Sequence, residues 1–398
     1  MGEVRSHTTG DEAVGARGDR KVTGYADSGD DSDRSTNFVI DRESDLDRPC
    51  DRHQTSADRR TLVTVVEPFG LSARDQALEA DVQAGMVAVE EGLLEATKSE
   101  VPFIQEAAQH LLRAGGKRFR PLLVMLAAQF GDPYAPGVVP SAVVVELTHL
   151  ATLYHDDVMD EAEVRRGVPS ANARWDNSLA VLTGDFLFAR ASHVLADLGP
   201  DAVRIQAEAF ERLVTGQILE TAGPRDGRDP IDHYLDVLGG KTGSLVAVAG
   251  RLGALMAGAD ETVVDVLTQY GERLGVAFQL ADDVLDIASD SHESGKTPGT
   301  DLREHVPTMP VLRLRERAGR LGLPDDIALC ELLDSDLTDD ARHAEALARL
   351  RVHPALEQAR RDTIRYAEEA RAALAPLPEC DAKAALVELC DAVVHRAG

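Results

Sequence analysis

The sequence predicts an all-α protein, one large domain of roughly ten or more helices, and three observations lead there. From Ala80 onward nearly every segment alternates apolar and polar residues at helical spacing. Ala, Leu, Glu and Arg, strong helix formers, are abundant. No run of short alternating strands with hairpin turns, and no strand–helix repeat, is visible along the chain.

Taken in order, residues 1–62 read as a disordered N-terminal tail, because Asp, Arg, Ser, Thr and Gly dominate and apolar residues are too sparse for a core. Its opening, Met1 to Ser6, fits the loose myristoylation pattern but has no polybasic second anchor. Removing the tail is expected to leave activity intact. The folded domain is expected over residues 63–398. Val82, Met86, Val89, Leu93 and Leu94 form one helical stripe, and Ile104, Ala107, Ala108, Leu111 and Leu112 the next, ended by Gly115-Gly116. Gly131-Asp132-Pro133, Gly223-Pro224 and Gly239-Gly240 are expected to break later helices.

Composition narrows the function. The chain of 398 residues carries 42 basic and 69 acidic side chains, a net charge of −27. That excess argues against non-specific nucleic-acid binding and against adhesion to an anionic membrane. Cys50, Cys330, Cys380 and Cys390 are far apart without a CxxC pair, which suits reduced thiols in a cytoplasmic protein. No uninterrupted apolar run of the ~18 to 20 residues needed to span a bilayer occurs, nor the apolar core of a signal peptide.

Two acidic pentapeptides, Asp156-Asp157-Val158-Met159-Asp160 and Asp282-Asp283-Val284-Leu285-Asp286, follow apolar helical stretches. Residues four apart share a helix face, so Asp156 lies with Asp160 and Asp282 with Asp286. Carboxylates crowded beside apolar surface repel each other and call for a cation between them. Mg²⁺ suits the place, since it takes one or two carboxylates and completes its shell with water and substrate phosphates. The bland alternative is two solvated helix ends, which the near-identity of the two clusters disfavours. The scarce cations gather nearby in sequence: Lys117, Arg118 and Arg120 after Gly115-Gly116, Arg165-Arg166-Gly167 after the first cluster, Lys241-Thr242-Gly243, and Lys296 after the second cluster. Arg matches phosphate oxygens with a planar fork and Lys with a point charge. Acidic clusters each followed by cations describe a cavity for diphosphates bridged by metal. His149 lies two turns before Asp156 and Gln279 three residues before Asp282, on the same faces, as substrate contacts. Tyr154, Trp175 and Phe278 read as packing residues.

With Thr183-Gly184-Asp185, Gly216-Gln217 and Phe278-Gln279-Leu280 added, the chain from about residue 80 onward resembles the trans-isoprenyl diphosphate synthases, the polyprenyl synthetase family. The resemblance implies an all-α bundle around a deep central cavity with the two Asp-rich motifs near its mouth. It also implies joining of isopentenyl diphosphate head-to-tail to an allylic diphosphate, with Mg²⁺, in a homodimer. Carried over by position, Asp156, Asp157, Asp160, Asp282, Asp283 and Asp286 would hold metal. Arg165, Lys241 and Lys296 would grip the allylic diphosphate, and Lys117, Arg120, His149 and Arg166 would bind isopentenyl diphosphate. Thr242 and Gln279 would line the space where positive charge develops, and with Lys241 they are the catalytic residues that the resemblance implies. One departure is His305, where the family commonly has Gly, which puts local loop geometry in doubt.

Product length should follow from the cavity floor. Small residues, Ala151, Thr152 and Thr148, lie one and two turns below Asp156, so the expected product is medium to long, about C30 to C50, unless Phe186 or Phe188 plugs the floor. A short-chain synthase making farnesyl or geranylgeranyl diphosphate is the alternative. A terpene cyclase and a non-catalytic regulatory subunit fit less well, because both Asp-rich motifs are intact. Membrane association is expected only through the product.

Overall fold

In the computed structural model, residues 76–289 and 298–397 are described; the tail and its boundary near residue 62 lie outside them. The elements in chain order are α1 (Gln76–Ala96), α2 (Pro102–Arg113), α3 (Phe119–Ala128), α4 (Val138–Met159), β1 (Val164–Arg165), β2 (Val168–Pro169), α5 (Ala171–Arg174), α6 (Asn177–Leu198), α7 (Pro200–Ala222), α8 (Pro230–Leu238), a π-helical segment (Gly239–Gly243), α9 (Ser244–Met256), α10 (Glu261–Ala288), α11 (Thr300–Arg303), α12 (Met309–Leu321), α13 (Pro324–Leu333), α14 (Asp340–Arg351), α15 (Pro354–Ala373) and α16 (Asp381–Ala397). The all-α expectation holds. β1 and β2 are two residues each and pair antiparallel around the Arg166-Gly167 turn.

The expected stripes account for the first helices, with two departures. Val82, Met86, Val89 and Leu93 are buried, and so are Ala107, Ala108, Leu111 and Leu112, whereas Leu94 and Ile104 lie at the edge of their stripes and are exposed. Gly131 and Gly223-Pro224 end helices as expected, but Gly239-Gly240 does not: the chain runs on from α8 through the π segment into α9. An inserted residue that widens one helical turn keeps the backbone bonded where two glycines would otherwise fray it, and such π bulges cluster at functional sites.

α9 is apolar on almost every side and packs against α3, α4, α7 and α10. It thereby sets the two Asp-bearing helices, α4 and α10, around one cavity. α15 and α16 brace α10 from behind. The core is built of Ala, Val and Leu with few aromatics, and its two largest buried side chains, Tyr154 and Tyr270, satisfy their hydroxyls on backbone. Tyr154 donates to the Ala107 carbonyl at 2.5 Å, tying α4 to α2, and Tyr270 to that of Leu386 at 2.7 Å, tying α10 to α16. A buried hydroxyl left without a partner costs about 1–3 kcal/mol, so these bonds fix helix register as well as filling space. Cys330, Cys380 and Cys390 are unpaired.

Candidate active site

α4 supplies one wall of the cavity. Its run from Val138 to Tyr154 is buried almost throughout, so the few polar residues on it stand out: Glu146, Thr148, His149, Thr152 and then Asp156. Asp160 caps its C-terminus, and Glu161 in the left-handed region (φ 50°) turns the chain away. The β1–β2 turn, with Arg166 and Gly167 also left-handed (φ 54° and 76°), then returns two guanidiniums toward the helix they followed. Arg165 donates to Asp157 at 2.5 Å and lies 3.8 Å from Asp160. Arg166 donates to the carbonyls of Leu111, at 2.9 Å, and Gly115.

The opposite wall comes from α7, the π segment and α10. Lys241 donates to Glu220 of α7 at 2.6 Å. Gly216 of α7 lies so close to the π segment that a Cβ there would sit 2.7 Å from the Lys241 amide nitrogen, and only glycine permits that approach. From α10, Asp282 accepts from Arg396 of α16 at 2.7 Å, and Arg396 also lies over the Phe278 ring.

These walls enclose about 390 Å³, lined among others by Lys117, Arg120, His149, Asp156, Arg165, Arg166, Lys241, Thr242, Gln279 and Asp282. Ten residues singled out in sequence thus meet in one cavity of ordinary ligand size. Asp160 stands at its exposed rim, one turn from Asp156. Lys296 lies outside the described residues.

Three of the carboxylates expected at the metal depart from that place. Asp157 and Asp283 each follow an inward-facing Asp by one residue, which turns them about 100° around the helix. Both are buried: Asp157 is held by Arg165, and Asp283 accepts from the Tyr234 hydroxyl at 2.6 Å and the Met309 amide at 3.2 Å. Asp286 accepts from the amides of Thr300 and Asp301, at 3.3 and 3.4 Å, and so caps the short α11. Each of the three is thus tied to other residues of the chain, and Asp157 keeps a buried Oδ2 without a hydrogen-bond partner.

The electrostatics are those of a site awaiting charged ligands. Burial pushes the Asp156 carboxyl up to about 6, Lys241 opposes this, and Asp160 adds to it. Burial also brings Arg120 down to about 10, and its Nε is buried without a partner. His149 is held well below the usual imidazole range by burial and by the guanidiniums of Arg120 and Arg166, so it is neutral at pH 7. Hard carboxylate oxygens on two facing helices, beside surplus cations, fit a divalent ion that bridges a diphosphate. Among the described residues no three acidic, His or Cys side chains converge as a closed cage. One or two carboxylates per ion is the regime in which substrate phosphates complete a Mg²⁺ shell.

Some residues at the site were not singled out for it in the sequence. Gln217, quoted only within the Gly216-Gln217 motif, lines the cavity with a partnerless buried Oε1, and Glu146 lines it beside the guanidiniums. Glu220 and Arg396, from helices far along the chain, pair with the lining residues Lys241 and Asp282. An acid inside the apolar run Val143–Leu150 was the available clue to Glu146. At His305 the backbone is left-handed (φ 55°), the conformation the family's Gly adopts freely. His305 bears a strain of about 1 kcal/mol in that conformation.

Comparison with known proteins decides the family. The Polyprenyl synthetase family model matches residues 101–348. The chain belongs to the polyprenyl synthetase family. It is 47% identical over 340 residues to the nonaprenyl diphosphate synthase of Mycobacterium tuberculosis, covering 85% of this chain and all of that one. A geranylgeranyl pyrophosphate synthase from Corynebacterium glutamicum, solved in complex with calcium and isoprenyl diphosphate, superposes with a TM-score of 0.73 at 46% identity, over 82% of this chain and 99% of that one. A decaprenyl diphosphate synthase from Rhodobacter capsulatus gives 0.73 at 37% identity, over 81% and 99%. This polyprenyl synthetase is a prenyltransferase with the family's all-α fold.

Proposed function

We propose that this synthetase condenses isopentenyl diphosphate head-to-tail, in trans geometry, with an allylic diphosphate. The product is a polyprenyl diphosphate of about C30 to C50, the precursor of a quinone side chain, because Thr152, a small residue one turn below Asp156, lines the cavity where an aromatic would close it. The observation that carries the reading is the single cavity in which Asp156 and Asp282 face Lys117, Arg120, Arg165, Arg166 and Lys241. Its cations divide into two groups, one for each diphosphate. Arg165 and Lys241, with Lys296, hold the allylic diphosphate; Lys117, Arg120 and Arg166, with neutral His149, hold isopentenyl diphosphate.

Asp156, Asp160 and Asp282 would hold Mg²⁺, which when bound neutralises charge on the departing diphosphate. Lys241 and Arg165 keep that diphosphate in place as the allylic C–O bond breaks and its electron pair leaves with the oxygen. The side-chain oxygens of Thr242 and Gln279 face the cation that remains, and their fixed dipoles stabilise it. The double bond of isopentenyl diphosphate forms the new carbon–carbon bond. The proton then lost passes to the expelled diphosphate and a new double bond closes, so no Ser–His–Asp triad is required.

A homodimer belongs to the same reading. Leu182 on α6 and Ile218 on α7, 62% and 61% exposed, leave apolar surface on two helices packed together, which a second copy would cover. α6 is long and apolar enough to span a membrane by length and composition, but one face packs on α4. The enzyme is proposed to be cytoplasmic and to meet a membrane only through its product.

A short-chain product is the second reading, favoured by one observation. Below Thr152, Gln206 of α7 donates to Thr148 at 2.8 Å across the buried floor. Ala151 does not line the cavity, and Phe188 packs against His155 and Phe210 on the α6 side. Turnover of labelled isopentenyl diphosphate with an allylic primer, lost on chelation and restored by Mg²⁺, tests the reaction; turnover indifferent to chelation would overturn it.

A further inference from the structure

Glu146 is an acid where an anion site would be expected to exclude one. Its side chain is 2% exposed, and it lines the same cavity as Lys117, Arg120 and Arg166. Its Oε1 accepts from Arg118 at 3.1 Å and lies 3.9 Å from Arg166. Arg118, its backbone left-handed (φ 50°), also lines the cavity, and a second carboxylate, Glu90, holds it. Arg118 and Arg166 come so close at Gly116 that a Cβ there would meet their guanidiniums at 2.8 and 2.9 Å. Both also donate to the Gly115 carbonyl. Two guanidiniums, those of Arg118 and Arg166, therefore converge on one carboxylate, and Arg120 lines the same cavity beside them.

Unscreened guanidiniums this close repel each other, and in a low-dielectric pocket the repulsion is large. A carboxylate at their centre holds them in fixed positions. Glu146 and Glu90 set two negative charges against Arg118, Arg120 and Arg166, so a positive surplus still faces the cavity. Binding energy of an incoming anion is then not consumed in ordering arginines, which is the physical content of preorganisation.

We infer that Glu146 is a positioning residue for isopentenyl diphosphate, holding Arg118 and Arg166 so that Arg166 meets the diphosphate in binding geometry beside Arg120. The inference rests on the assignment of this end of the cavity to isopentenyl diphosphate. It also makes Arg118, one of three cations in the Lys117–Arg120 run, a spacer between carboxylates and no ligand to substrate.

The test is steady-state kinetics on Glu146→Gln and Glu146→Asp, with each substrate varied in turn and melting temperature recorded. Hydrogen bonds to charged groups are worth enough that Glu146→Gln should raise KM for isopentenyl diphosphate roughly 10- to 100-fold. The allylic KM should be unchanged, and kcat should stay within about threefold, since the groups around the breaking bond are untouched. Glu146→Asp, which keeps the charge on a shorter stem, should fall between wild type and Gln, and it carries the test if Glu146→Gln does not fold. A lower melting temperature with both KM values unchanged would reduce Glu146 to a structural ion pair. A lower KM for isopentenyl diphosphate would show that the acid acts only as an opposing charge. Either result overturns the inference. Lys117→Ala is the control: if it leaves the isopentenyl KM unchanged, the assignment of the pocket fails, whatever Glu146 does.

Discussion

Asp156 is the residue on which charge, metal and chemistry converge. Its carboxyl titrates near 6, against an ordinary value of 3.8, because it is partly buried beside Asp160. A raised carboxyl favours the protonated form in the folded chain, so without metal this group stabilises the fold below about pH 4 and that contribution is lost as pH rises through 6. Metal binding requires the opposite form. Apparent Mg²⁺ affinity, measured calorimetrically with diphosphate present, should therefore weaken about fivefold between pH 6 and pH 5 as the proton competes; an affinity flat over that range would place the metal elsewhere. Asp156→Asn should lower kcat about 10³-fold with melting temperature held or raised, by analogy with loss of one preorganised charge-stabilising group. Sequence spacing disclosed Asp156 and Asp282. It did not separate them from Asp157 and Asp283, because a doubled acid reads the same whichever of the two faces the cavity, and only Arg165, Tyr234 and Met309 decide that.

At the scale of elements, the π segment and the floor of α4 and α7 do the specifying. Gly216 and Gly240 let two backbones touch, which sets Lys241 and Thr242 at the cavity wall. Gly216→Ala should push the π segment outward by tenths of an ångström to an ångström, and kcat should fall about 10²-fold, the cost of a small misplacement in a preorganised site; unchanged kcat would show that segment to be slack. On the floor, a growing prenyl chain that passes Thr152 meets the Gln206–Thr148 bond. Breaking it strands two buried polar groups at about 1–3 kcal/mol each. Gln206→Ala removes the donor and opens volume, so sized products should lengthen by one or more five-carbon units; an unchanged ladder would mean the stop lies elsewhere. Neither element was readable in advance: Gly239-Gly240 has the composition of a break, and the floor bond joins residues 58 positions apart.

At the scale of the whole molecule, helical periodicity was enough to predict an all-α domain, and the doubled acidic motif, the basic runs and the family resemblance together named ten cavity residues. The periodicity is visible because each helix buries one stripe, and the motifs are visible because acids and cations beside apolar runs violate that stripe. Hidden were the side chains that come from distant elements, Glu220, Arg396 and Gln206, whose roles exist only once α7 and α16 are packed against their neighbours. The apolar surface left on α6 and α7 predicts that the protein sediments as a dimer and that Leu182→Glu with Ile218→Glu shifts it toward monomer; a wild-type monomer at micromolar concentration would contradict this.

The central claim is a trans condensation over an open floor. Purified protein incubated with farnesyl diphosphate, labelled isopentenyl diphosphate and Mg²⁺, followed by sizing of the dephosphorylated products, measures both parts at once. The account predicts a ladder ending at about C30 to C50, since Thr152 leaves room for added units where an aromatic would close the cavity. Products that stop at one or two additions would contradict the open floor, and no elongation with any allylic primer would contradict the reaction.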